Sequence, residues 1–195
     1  MLGSEKSGGK PMLDVYLPLE SQRKLIELSR RILEDFVLGR RREVERVDDS
    51  CLETQDYGAF VSLHNQGELR GCIGDCAPRA PLFETVIEMT EAAASRDSRV
   101  EPVSESELDD IRIEISVLSP LVRTEAPLSL EIGRHGLYLA RQGRRGVLLP
   151  QVATQYHWDM KAFLEQTCLK AGLRKHAWKD SDTEVSAFTA LIIEE

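Results

Sequence analysis

The chain has few cysteines and histidines, and it has no long apolar run. No stretch approaches the roughly 20 apolar residues that a membrane-spanning helix needs, so no membrane association is expected. The four cysteines are irregularly spaced among 195 residues, which excludes a disulfide framework and favours the reducing cytoplasm. Cys72 and Cys76 would supply only half of a structural zinc site, and the four histidines are scattered. The sequence therefore predicts no metal and no cofactor.

Positive charge is also in short supply. The 33 acidic residues outnumber the 25 lysines and arginines, and the formal net charge is -8. This balance disfavours non-specific nucleic-acid binding, which depends on neutralising phosphates. The N-terminus is rich in Gly, Ser and Lys and lacks the apolar segment of a secretory signal. Residues 1–14 are therefore predicted to form a flexible tail, and residues 15–195 a single domain, with two subdomains.

Helical and strand periodicities are intermixed along the chain. Apolar residues at helical spacing indicate three helices, and apolar-polar alternation with two turn signals indicates strands that form hairpins. The predicted elements are helices at residues 19–42, 81–95 and 158–171 and strands at residues 59–63, 69–73, 111–118, 136–141, 145–149 and 186–193. The predicted fold class is α+β, with mostly antiparallel sheets and packed helices.

A cation and a thiol lie two residues apart in Leu69-Arg70-Gly71-Cys72-Ile73-Gly74. Because successive side chains of a strand point to opposite faces, Arg70 and Cys72 are predicted to share one face and to line a concave site. Gly71 and Gly74 allow another backbone or a ligand to approach closely. A guanidinium near a thiol favours the thiolate, so Cys72 is a candidate nucleophile with Arg70 as its activator. The alternative is a small buried packing residue beside a surface charge.

Further charged residues could line a binding site. Arg96 and Arg99 flank Asp97 after the second helix, which places two guanidinium groups around one carboxylate. Glu114 lies on a strand whose opposite face is aliphatic. If that strand is central, its carboxylate needs an arginine as a partner, and Arg70, Arg96, Arg99 and Arg134 are the candidates. The alternative for Glu114 is an exposed strand face.

Two candidates lie in the second half of the chain. Gly133-Arg134-His135-Gly136 is a glycine-flanked turn that presents a cation and an imidazole, and His135 is a candidate base for the thiol. Gln151 follows a proline, where it would either contact a ligand or cap backbone groups. The alternative for the turn is an ordinary surface hairpin.

The hexapeptide around Cys72 resembles the hallmark of the AMMECR family, whose prokaryotic members are called AmmeMemoRadiSam system protein A. Other segments follow in the order found in that family: Gly58-Ala59-Phe60-Val61-Ser62-Leu63, Gly67-Glu68-Leu69, Ile113-Glu114-Ile115-Ser116-Val117-Leu118 with Pro120, Gly133-Arg134-His135-Gly136-Leu137, Leu148-Leu149-Pro150-Gln151-Val152-Ala153 and Trp158-Asp159. The segment around Asp97 resembles the family's Asp-Pro-Arg-Phe, with Ser98 and Val100 replacing the proline and the aromatic residue. The resemblance spans residues 19–193.

The resemblance implies an α+β fold of two unequal subdomains, with the motif residues near the cleft between them. The family has no established activity, and its gene neighbourhoods imply a Memo-like protein and a radical S-adenosylmethionine enzyme as partners. The first functional hypothesis is an accessory protein whose cleft holds an anionic small molecule or a loop of a partner. The predicted lining combines the charged and polar candidates: Arg70, Cys72, Arg96, Asp97, Arg99, Glu114, Arg134, His135 and Gln151. The alternative is an enzyme that uses Cys72 as nucleophile or redox centre and Arg70 as its activator.

Overall fold

The computed structural model describes residues 14–41, 46–77 and 79–195, and these residues form two compact units. The N-terminal unit comprises residues 15–120 and 191–195, and the C-terminal unit comprises Asp14 and residues 121–190. The predicted flexible tail lies outside the described residues except for Asp14. Helices and antiparallel strands occur in both units, which confirms the α+β fold class.

The helices and strands are numbered in chain order. They are α1 (Leu19–Val37), β1 (Gly58–Asn65), β2 (Glu68–Asp75), α2 (Leu82–Ser95), β3 (Ile111–Leu118), β4 (Val122–Arg123), β5 (His135–Arg141), β6 (Arg144–Leu148), α3 (Pro150–Gln155), α4 (Met160–Lys170) and β7 (Glu184–Glu194). Short 3-10 turns occur at Glu105–Glu107, Pro127–Ser129 and Ala177–Lys179.

The N-terminal unit is built on the antiparallel strands β2, β1 and β3, with β2 at the edge. Val61, Leu63, Ile113 and Ile115 lie on one face of this sheet and are at most 2% exposed. The apolar faces of α1 and α2 complete the same core. The alternation predicted for residues 111–118 is thus confirmed. The other face of the sheet carries the polar Ser62 and Glu114 together with Phe60.

The structure changes two of the predicted bounds: the end of the first helix and the loop between β1 and β2. The first helix ends at Val37 rather than at residue 42, because Gly39 adopts a left-handed conformation at φ 61° and Arg40 N–H bonds back to the carbonyl of Asp35 at 2.8 Å. Residue 42 itself lies outside the described residues. The loop between β1 and β2 is shorter than predicted, since Gln66 and Gly67 have φ values of 51° and 86° and form a two-residue turn.

The C-terminal unit contains β4, β7, β5 and β6 in that spatial order. Its core is formed by apolar side chains of β5 and α4, including Leu137, Leu139 and Phe163, none of which is exposed. α4 begins at Met160, and the side chain of the preceding Asp159 accepts the N–H of Ala162 at 2.7 Å. The preceding helix α3 was not predicted, because six residues are too few to show an amphipathic period.

Among the helices described, none combines the length and apolar character needed to cross a membrane. Within residues 14–41, 46–77 and 79–195, no group of three His, Cys, Asp or Glu side chains is arranged to hold a metal ion.

Candidate functional site

Cys72 belongs to a line of polar side chains that crosses three strands. Ser62 on β1 lies opposite Cys72 on β2 and opposite Glu114 on β3. The Ser62 hydroxyl donates a hydrogen bond to the Cys72 sulfur at 3.2 Å. Ser116 lies two residues after Glu114 on β3, on the same face of the sheet. Its hydroxyl donates a hydrogen bond to the Glu114 carboxylate at 3.5 Å. We refer to Cys72, Ser62 and Glu114 as the polar row.

The main chain of Cys72 is fixed by two side chains at the open edge of β2. Its N–H donates to Asp97 Oδ2 at 2.9 Å, and its carbonyl accepts from Arg99 Nη2 at 3.2 Å. Asp97 also accepts from Arg99 Nε at 2.8 Å and Nη2 at 2.5 Å. The Asp97–Arg99 pair therefore takes the place of a further strand at this position and covers the edge.

The charges of this pair stabilise each other. The Asp97 side chain is 4% exposed, whereas that of Arg99 is 57% exposed. Hydrogen bonds from Arg99 hold the pKa of Asp97 far below its usual range, against the effect of burial. The same bonds raise the pKa of Arg99, and the nearby Cys72 thiol contributes in the same direction. Arg99 thus presents an exposed guanidinium close to the thiol.

Arg70 has a different set of partners from the one predicted. Leu63 pairs with Gly71 and His64 pairs with Leu69, so Arg70 is the extra residue of a β-bulge. The bulge interrupts the alternation on which the predicted shared face of Arg70 and Cys72 depends. The Arg70 guanidinium donates to both oxygens of Glu107, at 2.6 and 3.0 Å.

These bonds tie β2 to the segment that follows α2. Arg70 also donates to the carbonyl oxygens of Glu101 and Pro102, at 2.6 and 3.0 Å. The bidentate pair lowers the pKa of Glu107 to about 2, helped by the N–H of Ser104. Because its donors are occupied in this way, Arg70 acts as a structural clamp, and its predicted role as activator of Cys72 stays a prediction.

The two glycines of the hexapeptide permit close contacts on opposite faces. A Cβ on Gly71 would lie 2.2 Å from the carbonyl oxygen of Ala93, so the main chain of α2 occupies that space. A Cβ on Gly74 would lie 2.1 Å from the ring of Phe60. The predicted close approach of another backbone is therefore found at Gly71.

Arg134 and His135 lie at the start of β5 in the C-terminal unit. His135 Nδ1 accepts the N–H of Glu131 at 2.8 Å, so the proton of the neutral ring is on Nε2. Burial and the neighbouring Arg134 lower the pKa of His135. The exposed Arg134 pairs with Asp14 and with Glu131, each at 3.3 Å. Within this unit the imidazole thus stabilises the turn at Glu131. Its predicted role as a base for the Cys72 thiol stays a prediction.

The remaining candidates occupy helix ends. Arg96 follows the last residue of α2 and is exposed, with a long ion pair of 3.8 Å to Glu88. Gln151 is the second residue of α3, immediately after the proline that begins this helix. The predicted ion pair between Glu114 and an arginine stays a prediction.

The AMMECR1 family model matches residues 26–193, which is most of the chain. The chain belongs to the AMMECR1 family. The resemblance seen in the sequence is thereby confirmed.

AMMECR1-family relatives match over nearly their whole length. A protein of Thermococcus onnurineus is 44% identical over 182 residues, which cover 88% of each chain. One of Methanothermobacter thermautotrophicus is 39% identical over 188 residues, 92% of this chain and 98% of the relative. The crystal structure of the uncharacterized protein PH0010 from Pyrococcus horikoshii matches with a TM-score of 0.83 at 37% identity, covering 90% of this chain and 92% of that one. Their names state no activity and no ligand.

Two residues of this AMMECR1-family site were missed by sequence reasoning. Ser62 lies within a family segment, but its position opposite Cys72 depends on strand register. Glu107 lies in an acidic stretch of the sequence, where nothing distinguishes the carboxylate that binds Arg70 from its neighbours. Counting residues back from the turn at Gln66 and Gly67 would have paired Ser62 with Cys72 only if the bulge at Arg70 had been known.

Proposed function

We propose that this AMMECR1-family chain is an accessory protein that binds a loop of a partner protein on the polar row. The observation that carries the proposal is the alignment of a thiol, a hydroxyl and a carboxylate across β2, β1 and β3. Cys72 and Glu114 are half-buried and would meet the polar atoms of the loop, whereas Ser62 is 5% exposed and positions the Cys72 sulfur through its hydrogen bond. The Asp97–Arg99 pair fixes the main chain beneath Cys72, so that the row is held in one geometry before binding.

The charges at the site favour a loop over an anionic small molecule. Arg70 is neutralised by Glu107, and the positive charge of Arg99 is offset by Asp97. Glu114 adds a carboxylate to the row itself. An anion that binds on the row would have to approach that carboxylate. A neutral or basic loop meets no such repulsion.

The partners that the family resemblance implies provide the test. We expect a Memo-like protein or a radical S-adenosylmethionine enzyme encoded by the same genome to bind the purified chain in biolayer interferometry. Ser62→Ala and Glu114→Gln should each weaken binding by about tenfold, equivalent to about 1.4 kcal/mol. Glu88→Gln is the matched control, because Glu88 is an exposed carboxylate of the same unit, and it should leave the affinity unchanged. If the two row variants bind as well as the parent chain, the polar row is not the contact. Citrate binding that depends on Arg99 would favour the anion instead.

Thiol chemistry at Cys72 is the second candidate function, with Arg99 rather than Arg70 as the guanidinium that the contacts favour. Cys72 is half-buried, accepts the Ser62 hydrogen bond and lies near the exposed Arg99. Cationic neighbours and hydrogen bonds to sulfur both stabilise a thiolate.

Timed alkylation with iodoacetamide tests this alternative. Cys72 should be labelled fastest of the four thiols, since Cys76 and Cys168 are buried and burial raises the pKa of Cys168. Arg99→Gln should slow the labelling of Cys72 several-fold, whereas Arg70→Gln should have little effect. Peptide mapping by mass spectrometry gives the rates. Labelling of Cys72 no faster than that of the half-buried Cys51 would remove the case for catalysis and leave the binding role.

A further inference from the structure

A cavity of about 300 Å³ lies in the C-terminal unit, and none of the candidate site residues lines it. It is bounded by the end of the β4–β7 ladder on one side and by the 3-10 turn Ala177–Lys179 on another. Trp178, Pro127 and Val185 give it apolar walls. Its volume is at the lower end of the range in which proteins hold small molecules.

Two polar atoms of the cavity's lining residues are buried without a hydrogen-bond partner among the described residues: Trp178 Nε1 and Thr183 Oγ1. Thr183 is only 9% exposed. A buried donor left unpaired destabilises the folded state, so such groups in folded proteins nearly always have a partner. Both groups are donors that are closed to solvent in the free protein, so an acceptor in the cavity reaches them when the two side chains turn toward it.

The charges around the cavity favour a single negative charge on that acceptor. Lys179 Nζ lies 5.1 Å from the centroid of the Trp178 ring, and it makes no ion pair with the described residues. Arg123 is paired with the exposed Glu125 at 3.4 Å. Lys179 is therefore the cation left to meet a ligand.

Asp180 is the second acidic residue that lines the cavity, after Glu125, and its charge is already neutralised. Asp180 forms ion pairs with Arg141 and Arg174, so its charge is offset without Lys179. Glu125 and Asp180 would nevertheless repel a dianion about twice as strongly as a monoanion, and Lys179 balances a single negative charge. A phosphate dianion is therefore disfavoured relative to a monoanion.

We propose that this cavity binds a small organic carboxylate. Its charge is balanced by Lys179, its apolar body packs against Pro127 and Val185, and its oxygens accept hydrogen bonds from Trp178 and Thr183 once these side chains turn toward the cavity. The site is independent of the polar row and of any partner bound there, so either proposal can fail without the other.

Nuclear magnetic resonance of the full chain provides the test, because the chain contains two tryptophans and hence two indole N–H signals. Benzoate is the probe, with its neutral analogue benzamide and inorganic phosphate as comparators. Benzoate should shift the Trp178 signal in a saturable manner by about 20 mM, a concentration typical of weak small-ligand binding, and leave the Trp158 signal in place. Lys179→Met should weaken benzoate binding at least fivefold. Lys161→Met, at an exposed lysine of α4, is the matched control and should not.

Thr183→Val separates a ligand role from a structural one. Since the hydroxyl is unpaired in the free protein, its removal should leave the melting temperature unchanged or raise it, yet weaken benzoate binding several-fold. Absence of any Trp178 shift, equal binding of benzamide, or binding that Lys179→Met does not change would each overturn the proposal. Phosphate binding tighter than benzoate binding would overturn the choice of a carboxylate.

Discussion

Replacing Asp97 with alanine is expected to lower the free energy of unfolding of the N-terminal unit by about 3 kcal/mol. The carboxylate is buried and accepts hydrogen bonds from the main chain of Cys72 and from both the main chain and the side chain of Arg99. Its loss leaves the Cys72 N–H without an acceptor and Arg99 without its counter-charge. The estimate stays at the low end for a broken buried pair, because Arg99 is 57% exposed and remains hydrated.

Asp75→Ala is the matched control for this prediction. Asp75 also accepts a main-chain N–H two residues ahead, that of Ala77 at 2.8 Å, but it is exposed. Its replacement should cost less than about 1 kcal/mol. Urea unfolding at pH 7 measures both variants. A loss at Asp97 no greater than that at Asp75 would show that the edge of β2 does not depend on the pair.

The same carboxylate makes the N-terminal unit sensitive to acid. Arg99 lowers the pKa of Asp97, and Arg70 lowers the pKa of Glu107 to about 2. A carboxylate with a depressed folded pKa contributes stability that is present above its unfolded pKa and is lost as the pH falls through the folded value. For Glu107 the loss runs from about pH 4.5 to 2, and for Asp97 it begins near pH 4 and extends lower. Asp97→Ala should therefore make the decline in stability between pH 5 and pH 3 shallower.

The strongly periodic elements could be predicted from the sequence, and the register between them could not. β3 and α2 were located because their apolar side chains repeat at strand and helix spacing over eight or more residues. The bulge at Arg70 has no signature in composition, since it arises from how β2 fits β1 and the loop after α2. A one-residue change of register reverses which face a side chain occupies, so the surroundings of Arg70 could not be derived.

Most residues of the candidate site could be named from the sequence, but their contacts could not. Cys72, Asp97 and Arg99 were named, and the structure brings them together. Arg70 was expected beside the thiol but binds Glu107, which is 37 positions away in sequence. Pairings at such distances depend on the packing of α2 and the loop that follows it, and that packing is governed by side-chain fit rather than by any local pattern.

Gly71→Ala is expected to destabilise the N-terminal unit by about 3 kcal/mol, because the added methyl group has no space. Its Cβ would lie 2.2 Å from the carbonyl oxygen of Ala93 and 3.2 Å from the carbonyl carbon, and both atoms belong to the main chain of α2. A helix main chain cannot give way locally, so α2 would have to move off the sheet. Asp97 follows the end of α2, and its displacement would loosen the bonds to Cys72.

Gly74→Ala separates this effect from a general intolerance of side chains on β2. The methyl group would meet the ring of Phe60 at 2.1 Å, but that ring is a half-buried side chain and can rotate away. We expect a loss of about 1 kcal/mol for this variant. Urea unfolding of both variants decides the matter. Equal losses of stability would mean that α2 does not hold the edge of β2 through this contact.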